Sequence, residues 1–226
     1  MKKILFILLS VTFFPSFACA QQIDSVVSKL LISLEEEKWD DVVDLFHQFA
    51  DEDVENAEVF YWVKAANNEE ISSKLLLDLA QIYYKEGQFD KSLFMYREYC
   101  DKTECSANDL LDIAQVIIDL GDVHLTEQIY EKIATLDPEN LNANIFLGNY
   151  AYLRAERERK RIEYEFKRIK KPTRMEYAQY RQKLKDLYLF SYTHAQSHLK
   201  TAYRKLKSEE IKNTLDHIDV IKDISI

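Results

Sequence analysis

The chain has 226 residues, 30 basic against 39 acidic for a formal net charge of −9, and only 3 glycines, 3 prolines and 3 cysteines. So little glycine and proline argues against a sheet-and-turn architecture and for long helices joined by short loops. It also leaves no phosphate loop or nucleophile elbow to build, and the abundant carboxylates form a solvated acidic face in which no pair stands out as acid and base.

Met1-Lys2-Lys3, the apolar run from Ile4 to Phe14, Pro15 and Ala18-Cys19-Ala20 follow the order of a secretory signal peptide over 1–20, with cleavage expected before Gln21. That apolar run is 11 residues long, shorter than the roughly 20 a spanning helix needs. The expectation is therefore an exported protein, periplasmic or envelope-associated, soluble or peripheral, with residues 21–226 as a single domain. A competing reading lipidates Cys19, but Ser16-Phe17-Ala18 fits such processing poorly.

A helical pair is expected at 23–56. Ile23 to Glu36 supplies the first helix, and Trp39, Val42, Phe46 and Phe49 supply the turn and second helix, with Glu37 standing where a glycine would ease the turn. Residues 57–72 interrupt the pattern. Their Val59-Phe60-Tyr61-Trp62-Val63 cluster reads as a short helix or extended segment packed over the body, the alternative being an exposed partner anchor.

From Ser73 the chain repeats every 34 residues. In the copy at 73–106, Leu79, Ala80 and Tyr83 lie on the first helix, Gly87 and Phe89 mark the turn, and Ser92, Tyr96 and Tyr99 lie on the second. In the copy at 107–140 the same places hold Ile113, Ala114 and Ile117, then Gly121 and Val123, then Thr126, Tyr130 and Ile133. One small residue per helix lets the pair approach closely, and bulky residues three or four apart form the buried stripe. These residues resemble the tetratricopeptide repeat family, with Leu76 and Leu110 in place of its usual first aromatic. The resemblance implies an all-α solenoid of helical hairpins that binds rather than catalyses.

A fourth repeat is expected at 141–209, with Leu147, Gly148 and Ala151 on its first helix. Its second helix, marked by Tyr192, Ala195, Leu199 and Ala202, arrives 35 residues late. The intervening segment, 155–190, predicts a projecting helical arm. Ile162, Phe166 and Ile169 line its outgoing helix, which stops at Lys171-Pro172; a capping box from Thr173 to Glu176 opens the return helix, lined by Tyr177, Tyr180, Leu184 and Leu187. Overshooting by about 17 residues, each helix would carry the arm roughly 25 Å out. The spacing of Ile211, Leu215, Ile218 and Ile221 predicts a capping helix over 209–224.

Charge divides along the same line. Residues 21–153 hold 28 acidic and 9 basic side chains, whereas 154–185 hold 5 acidic and 13 basic. Pairs at i, i+4 (Glu156 with Lys160, Arg159 with Glu163, Arg161 with Glu165, Glu163 with Lys167) support the outgoing helix. They leave a surplus of positive charge in which Arg157, Lys160, Arg161, Lys167, Lys170 and Lys171 are the candidates for contact with an anionic membrane surface.

Cys100 and Cys105 fall between repeats, where an oxidising compartment could bridge them or leave two free thiols. His194 and His198, one turn apart, lack the intervening Glu of a hydrolytic zinc helix, and no metal or other cofactor is expected. In tetratricopeptide solenoids the second, fifth, ninth and twelfth residues of each repeat face a concave groove. The resemblance places Lys74, Leu77, Gln81 and Tyr84; Asn108, Leu111, Gln115 and Ile118; and Asn142, Ile145, Asn149 and Tyr152 there. An amide ladder between two apolar rows suits an extended or helical peptide, although the fifth and twelfth positions could instead pack against neighbouring repeats. Leu77 and Asp112 stand where carboxylate-gripping members carry Lys and Asn, so a clamp of that kind is not expected. The function expected is a non-catalytic scaffold for another protein or peptide, with no nucleic acid partner.

Overall fold

The structure is a computed structural model that describes residues 15–225, with side chains over 25–223. The signal-peptide run from Met1 to Phe14 lies outside the described residues. Among those described there is no strand, and the chain is all-α. It resolves into two compact units that divide between Cys105 and Ser106, where the sequence alone suggests one continuous domain.

The first unit holds α1 (Pro15–Glu35), α2 (Trp39–Glu52), α3 (Val54–Phe60) with a π-helical turn at Tyr61–Ala65, α4 (Ser72–Lys85) and α5 (Phe89–Lys102). The backbone of α1 runs through the expected cleavage point without a break. Helices α1 and α2 form one hairpin, α4 and α5 another. Both close alike: the Lys38 and Gln88 amides donate to the carbonyls five residues back, Ser33 and Tyr83, each at 2.9 Å. That closure needs a left-handed residue at the corner. Gly87 supplies it at φ 74°, and Glu37 is forced into it at φ 55°. Within α4–α5 the buried Ser92 hydroxyl donates to the Ala80 carbonyl at 2.7 Å, so two small residues set the distance of approach.

The 57–72 insertion begins earlier than the period indicates, because Asp53 caps α3 by accepting from the Asn56 amide. Its aromatic cluster splits. Phe60 packs on Phe46 and Phe49 with ring centroids 6.2 and 6.3 Å away, and Tyr61 is fully buried, whereas Val59, Trp62 and Val63 are exposed. A disulfide joins Cys100 to Cys105 across 5.4 Å between Cα atoms.

The second unit holds α6 (Ala107–Asp119), α7 (Val123–Leu136), α8 (Leu141–Lys167), α9 (Arg174–Leu187), a second π-helical turn at Tyr188–Tyr192, α10 (Thr193–Leu206) and α11 (Glu209–Ser225). A capping box between Ser106 and Asp109 starts α6. Gly121, at φ 79°, turns the chain into α7, with the Asp122 amide donating to the Ile117 carbonyl at 3.2 Å. The partner of the first half of α8 is α10, as the displaced stripe requires. They approach so closely that a Cβ on Gly148 would lie 2.7 Å from Leu199 Cγ. Tyr192, Ala195, Leu199 and Ala202 join Ile211, Leu215, Ile218 and Ile221 of α11 in one buried cluster.

The arm is the second half of α8 with α9. Ile162 and Leu184 are buried between the two helices, and Phe166 stacks on Tyr180 at 4.2 Å and meets Tyr177 edge-on at 5.0 Å. At its base Glu156 accepts from Arg159 at 2.8 and 3.0 Å and from the Tyr192 hydroxyl, with His217 Nε2 at 3.6 Å. The expected Glu156–Lys160 pair gives way to this network. A planar guanidinium one residue nearer takes both carboxylate oxygens, which an ammonium could not.

Candidate functional site

In the first unit, α2 and α4 diverge enough to leave an open cleft of about 470 Å³. From α4 it takes Lys74, Leu77, Asp78 and Gln81, and from α2 Val43, Asp44, His47 and Gln48. Positions 74, 77 and 81 share a face because they lie three and four residues apart on one helix. Three of the four groove residues read from the first clear repeat therefore line one cleft. The fourth, Tyr84, lies at the hairpin corner with its ring 5.7 Å from Phe89.

The α2 side of the cleft and Asp78 were not among the expected residues. His47 Nδ1 lies 2.6 Å from Asp78 Oδ1, its Nε2 lies 3.8 Å from Asp51, and Lys85 reaches Asp51 at 3.7 Å. Burial pushes the Asp78 carboxyl above the usual carboxylate range, and His47 pulls it back only partly. Its second oxygen, Oδ2, is buried without a hydrogen-bond partner among the described residues. The sequence signal for this residue was its recurrence. Asp112 occupies the same place one repeat on, and burial, reinforced by Asp109, raises its pKa as well. Chemically the cleft offers apolar contact at Leu77 and Val43, amides at Gln48 and Gln81, a cation at Lys74 and the imidazole–carboxylate pair.

In the second unit Asn108 is exposed, Leu111 half-buried and Ile118 exposed on α6, while Gln115 spends its amide on Asp119 at 3.3 Å. On α8, Asn142 and Asn149 face solvent. Ile145 and Tyr152 instead pack against the α10–α11 cluster, Tyr152 with its ring 6.3 Å from Tyr192 and 6.1 Å from His217. At these two positions the apolar rows are taken up inside the unit, because the displaced α10 and the cap α11 close over them.

His198 Nδ1 lies 2.9 Å from Asn144 Oδ1, and burial, then the neighbouring His194, lowers its pKa. His217 sits on Glu156, away from that pair. Among the described residues no group of three or more His, Cys, Asp or Glu is placed to hold a metal ion, and no helix is long and apolar enough to cross a membrane.

The candidate arm residues fall into two sets. Arg161 is held between Glu158 at 2.5 Å and Glu165 at 2.8 Å, and Arg157 Nε donates to the Leu153 carbonyl at 3.4 Å. Both line a shallow cleft of about 440 Å³ with Arg154, Leu187 and Ser191. Lys160, Lys167, Lys170 and Lys171 are exposed.

Paired helical hairpins with a polar-rimmed cleft define an all-α helical-repeat protein. A crystal structure of a "putative protein binding protein" from Bacteroides ovatus ATCC 8483 is similar at TM-score 0.75 and 34% sequence identity, over 90% of this chain and 99% of that one. At that identity, over nearly the whole of the other chain, the two belong to one family. No family model matches the chain, and no curated protein does.

Proposed function

We propose that this is a non-catalytic, tetratricopeptide-like binding protein that holds a protein or peptide segment in the α2–α4 cleft of its first unit. One observation carries the reading: Lys74, Leu77 and Gln81, picked out by repeat position, line the same open cleft with apolar contact flanked by amides. Such a surface suits a chain whose backbone meets the amides and whose side chains fill the apolar part. The name given to the Bacteroides ovatus relative supports a protein partner in general terms. The leader-like first twenty residues support export to the cell envelope, where the partner would be met.

Photo-crosslinking tests the cleft. A benzophenone amino acid at Gln81 or Lys74 should trap a discrete protein or peptide adduct in cells of the source organism, and one at the exposed Arg97 on α5 should not. Adducts from Arg97 and none from Gln81 would place the binding surface elsewhere. Leu77→Glu in the Gln81 crosslinking background should abolish the adduct, and because Leu77 is half-buried a circular dichroism melt that keeps one cooperative transition checks that the variant remains folded.

A further inference from the structure

Every carboxylate of the arm is engaged. Glu156 and Glu163 are held by Arg159, Glu158 and Glu165 by Arg161, with Lys183 also on Glu165 at 3.8 Å. Glu176 accepts from the backbone and hydroxyl of Thr173 in the capping box, at 2.6 and 2.7 Å. The tip is different. Between Lys167 and Arg174 stand Lys167, Arg168, Lys170, Lys171 and Arg174, with no acidic residue among them. All five are exposed; Arg168 lies over the Tyr164 ring at 5.8 Å, and among the described residues none of the five is ion-paired with a carboxylate. At the same end Tyr164 is 63% exposed, Met175 68% and Tyr177 51%.

We infer that the arm tip is a contact for anionic lipid headgroups, with Lys167, Arg168, Lys170, Lys171 and Arg174 meeting the phosphates and Met175, Tyr177 and Tyr164 entering the headgroup layer. The shape of the tip decides between a lipid surface and an acidic peptide. A peptide is recognised along a groove or an edge that orders its backbone. Here the cations sit on the six-residue turn 168–173 and its flanking helix ends. The arginine-lined cleft of the unit lies at the other end of the arm, by Leu187 and Ser191. A convex, cationic end with protruding apolar side chains fits a partner soft enough to surround it. Tyrosine suits such a boundary, with an apolar ring and a polar hydroxyl. Phe166 stacked between the two arm helices keeps the end closed, so the cations are presented together.

Flotation of the full chain with phosphatidylglycerol–phosphatidylcholine vesicles, against vesicles of phosphatidylcholine alone, tests this. At about fivefold for each of the five cations, partitioning onto the anionic vesicles should exceed that onto the neutral ones by up to roughly 3 × 10³-fold, and salt should erase most of the difference as exposed charges are screened. Replacing Lys167, Arg168, Lys170, Lys171 and Arg174 by Gln should remove the preference. None of these side chains is buried, so an unchanged circular dichroism melt checks that the variant remains folded. Met175→Ser with Tyr177→Ser should weaken anionic binding several-fold and leave the salt dependence in place. Lys2, Lys3 and the apolar run after them are common to parent and variant, so equal partitioning of the parent, or a preference that the five-fold replacement leaves undiminished, overturns the inference. Retention on immobilised polyglutamate with no vesicle preference also overturns it, and assigns the tip to an acidic protein.

Discussion

The α4–α5 and α8–α10 hairpins bring their helices together through the same repeat position, yet they are closed in opposite ways. The first turns within Glu86-Gly87-Gln88, and Ser92 reaches back to the Ala80 carbonyl. The second is interrupted by residues 168–192, with a whole helix and a π-helical turn between its halves, and places Leu199 over Gly148. A hairpin of this kind is therefore held by the fit of its faces and not by the shortness of its loop. Chain-closure entropy grows only slowly with loop length, by about 0.6 kcal/mol per doubling. With a hydroxyl opposite, alanine suffices; with leucine opposite, only glycine leaves room.

Gly148→Ala should break the interrupted hairpin most severely. Its new Cβ would meet Leu199 Cγ, Cδ2 and N at 2.7, 2.8 and 3.1 Å, and overpacking of this sort costs about 1–3 kcal/mol. Chemical denaturation should show that loss in the parent and little of it in a Leu199→Ala background, where the clash is gone. An equal loss in both backgrounds would refute the close-approach account. At the uninterrupted hairpin, Ala80→Gly creates no clash and should cost about 1–2 kcal/mol, the helix-propensity difference plus one buried methyl.

A smaller effect separates the two hairpins by pH. Burial alone would raise Glu156, but hydrogen bonds from Arg159 and Tyr192 hold it at about 2 against an ordinary 4.5. A carboxylate lowered on folding stabilises the fold above its ordinary pKa and loses that contribution as acid drives it toward the folded value. Thermal melts between pH 5 and pH 2 should therefore fall less steeply for Glu156→Gln than for the parent, with a neutral-pH cost of about 1 kcal/mol for this partly solvated group. Identical slopes would mean the network contributes nothing. The first-unit cleft should respond in the reverse sense. Asp78 is raised by burial, so its ionisation opposes folding, and its share of stability is present at low pH and lost as pH climbs through the raised value.

The smallest change concerns the corners. Glu37 holds the left-handed position that Gly87 and Gly121 hold elsewhere, and a side chain there costs about 1 kcal/mol. Glu37→Gly should accordingly raise stability by about 0.5–1 kcal/mol, after allowing for the added freedom of the unfolded chain. A decrease would show that Glu37 is relaxed at its corner.

The hairpins, the displaced α10 and the capping helix were legible because each rests on local periodicity. A stripe at three- and four-residue spacing announces a helix whatever lies between, which is why Tyr192, Ala195, Leu199 and Ala202 could be matched across the arm. Lys74, Leu77 and Gln81 were placed on a shared face by the tetratricopeptide resemblance, which carries the groove positions across residue by residue. His47 and Asp78 were not, since 31 residues separate them and no spacing rule couples their helices. Tyr192 found Glu156 from 36 residues away and was equally hidden. The inward packing of Ile145 and Tyr152 depends on what α10 and α11 bring over them. The two π-helical turns lacked any sequence mark. Each differs from the flanking α-helix by one residue in the backbone ladder, which local composition does not encode.

The turn at the end of the arm has one more consequence, for proteases. An enzyme that cuts after lysine or arginine finds Arg168 and Lys170 together on the exposed turn, with Lys167 at the helix end beside them and Lys171 shielded by Pro172, the kind of place where folded chains are first nicked. A break there would leave two fragments with no covalent link between them. Yet Leu199 would still lie against Gly148, and Tyr192 would still donate to Glu156. The cut protein should elute as one species from a sizing column and separate into two only in denaturant.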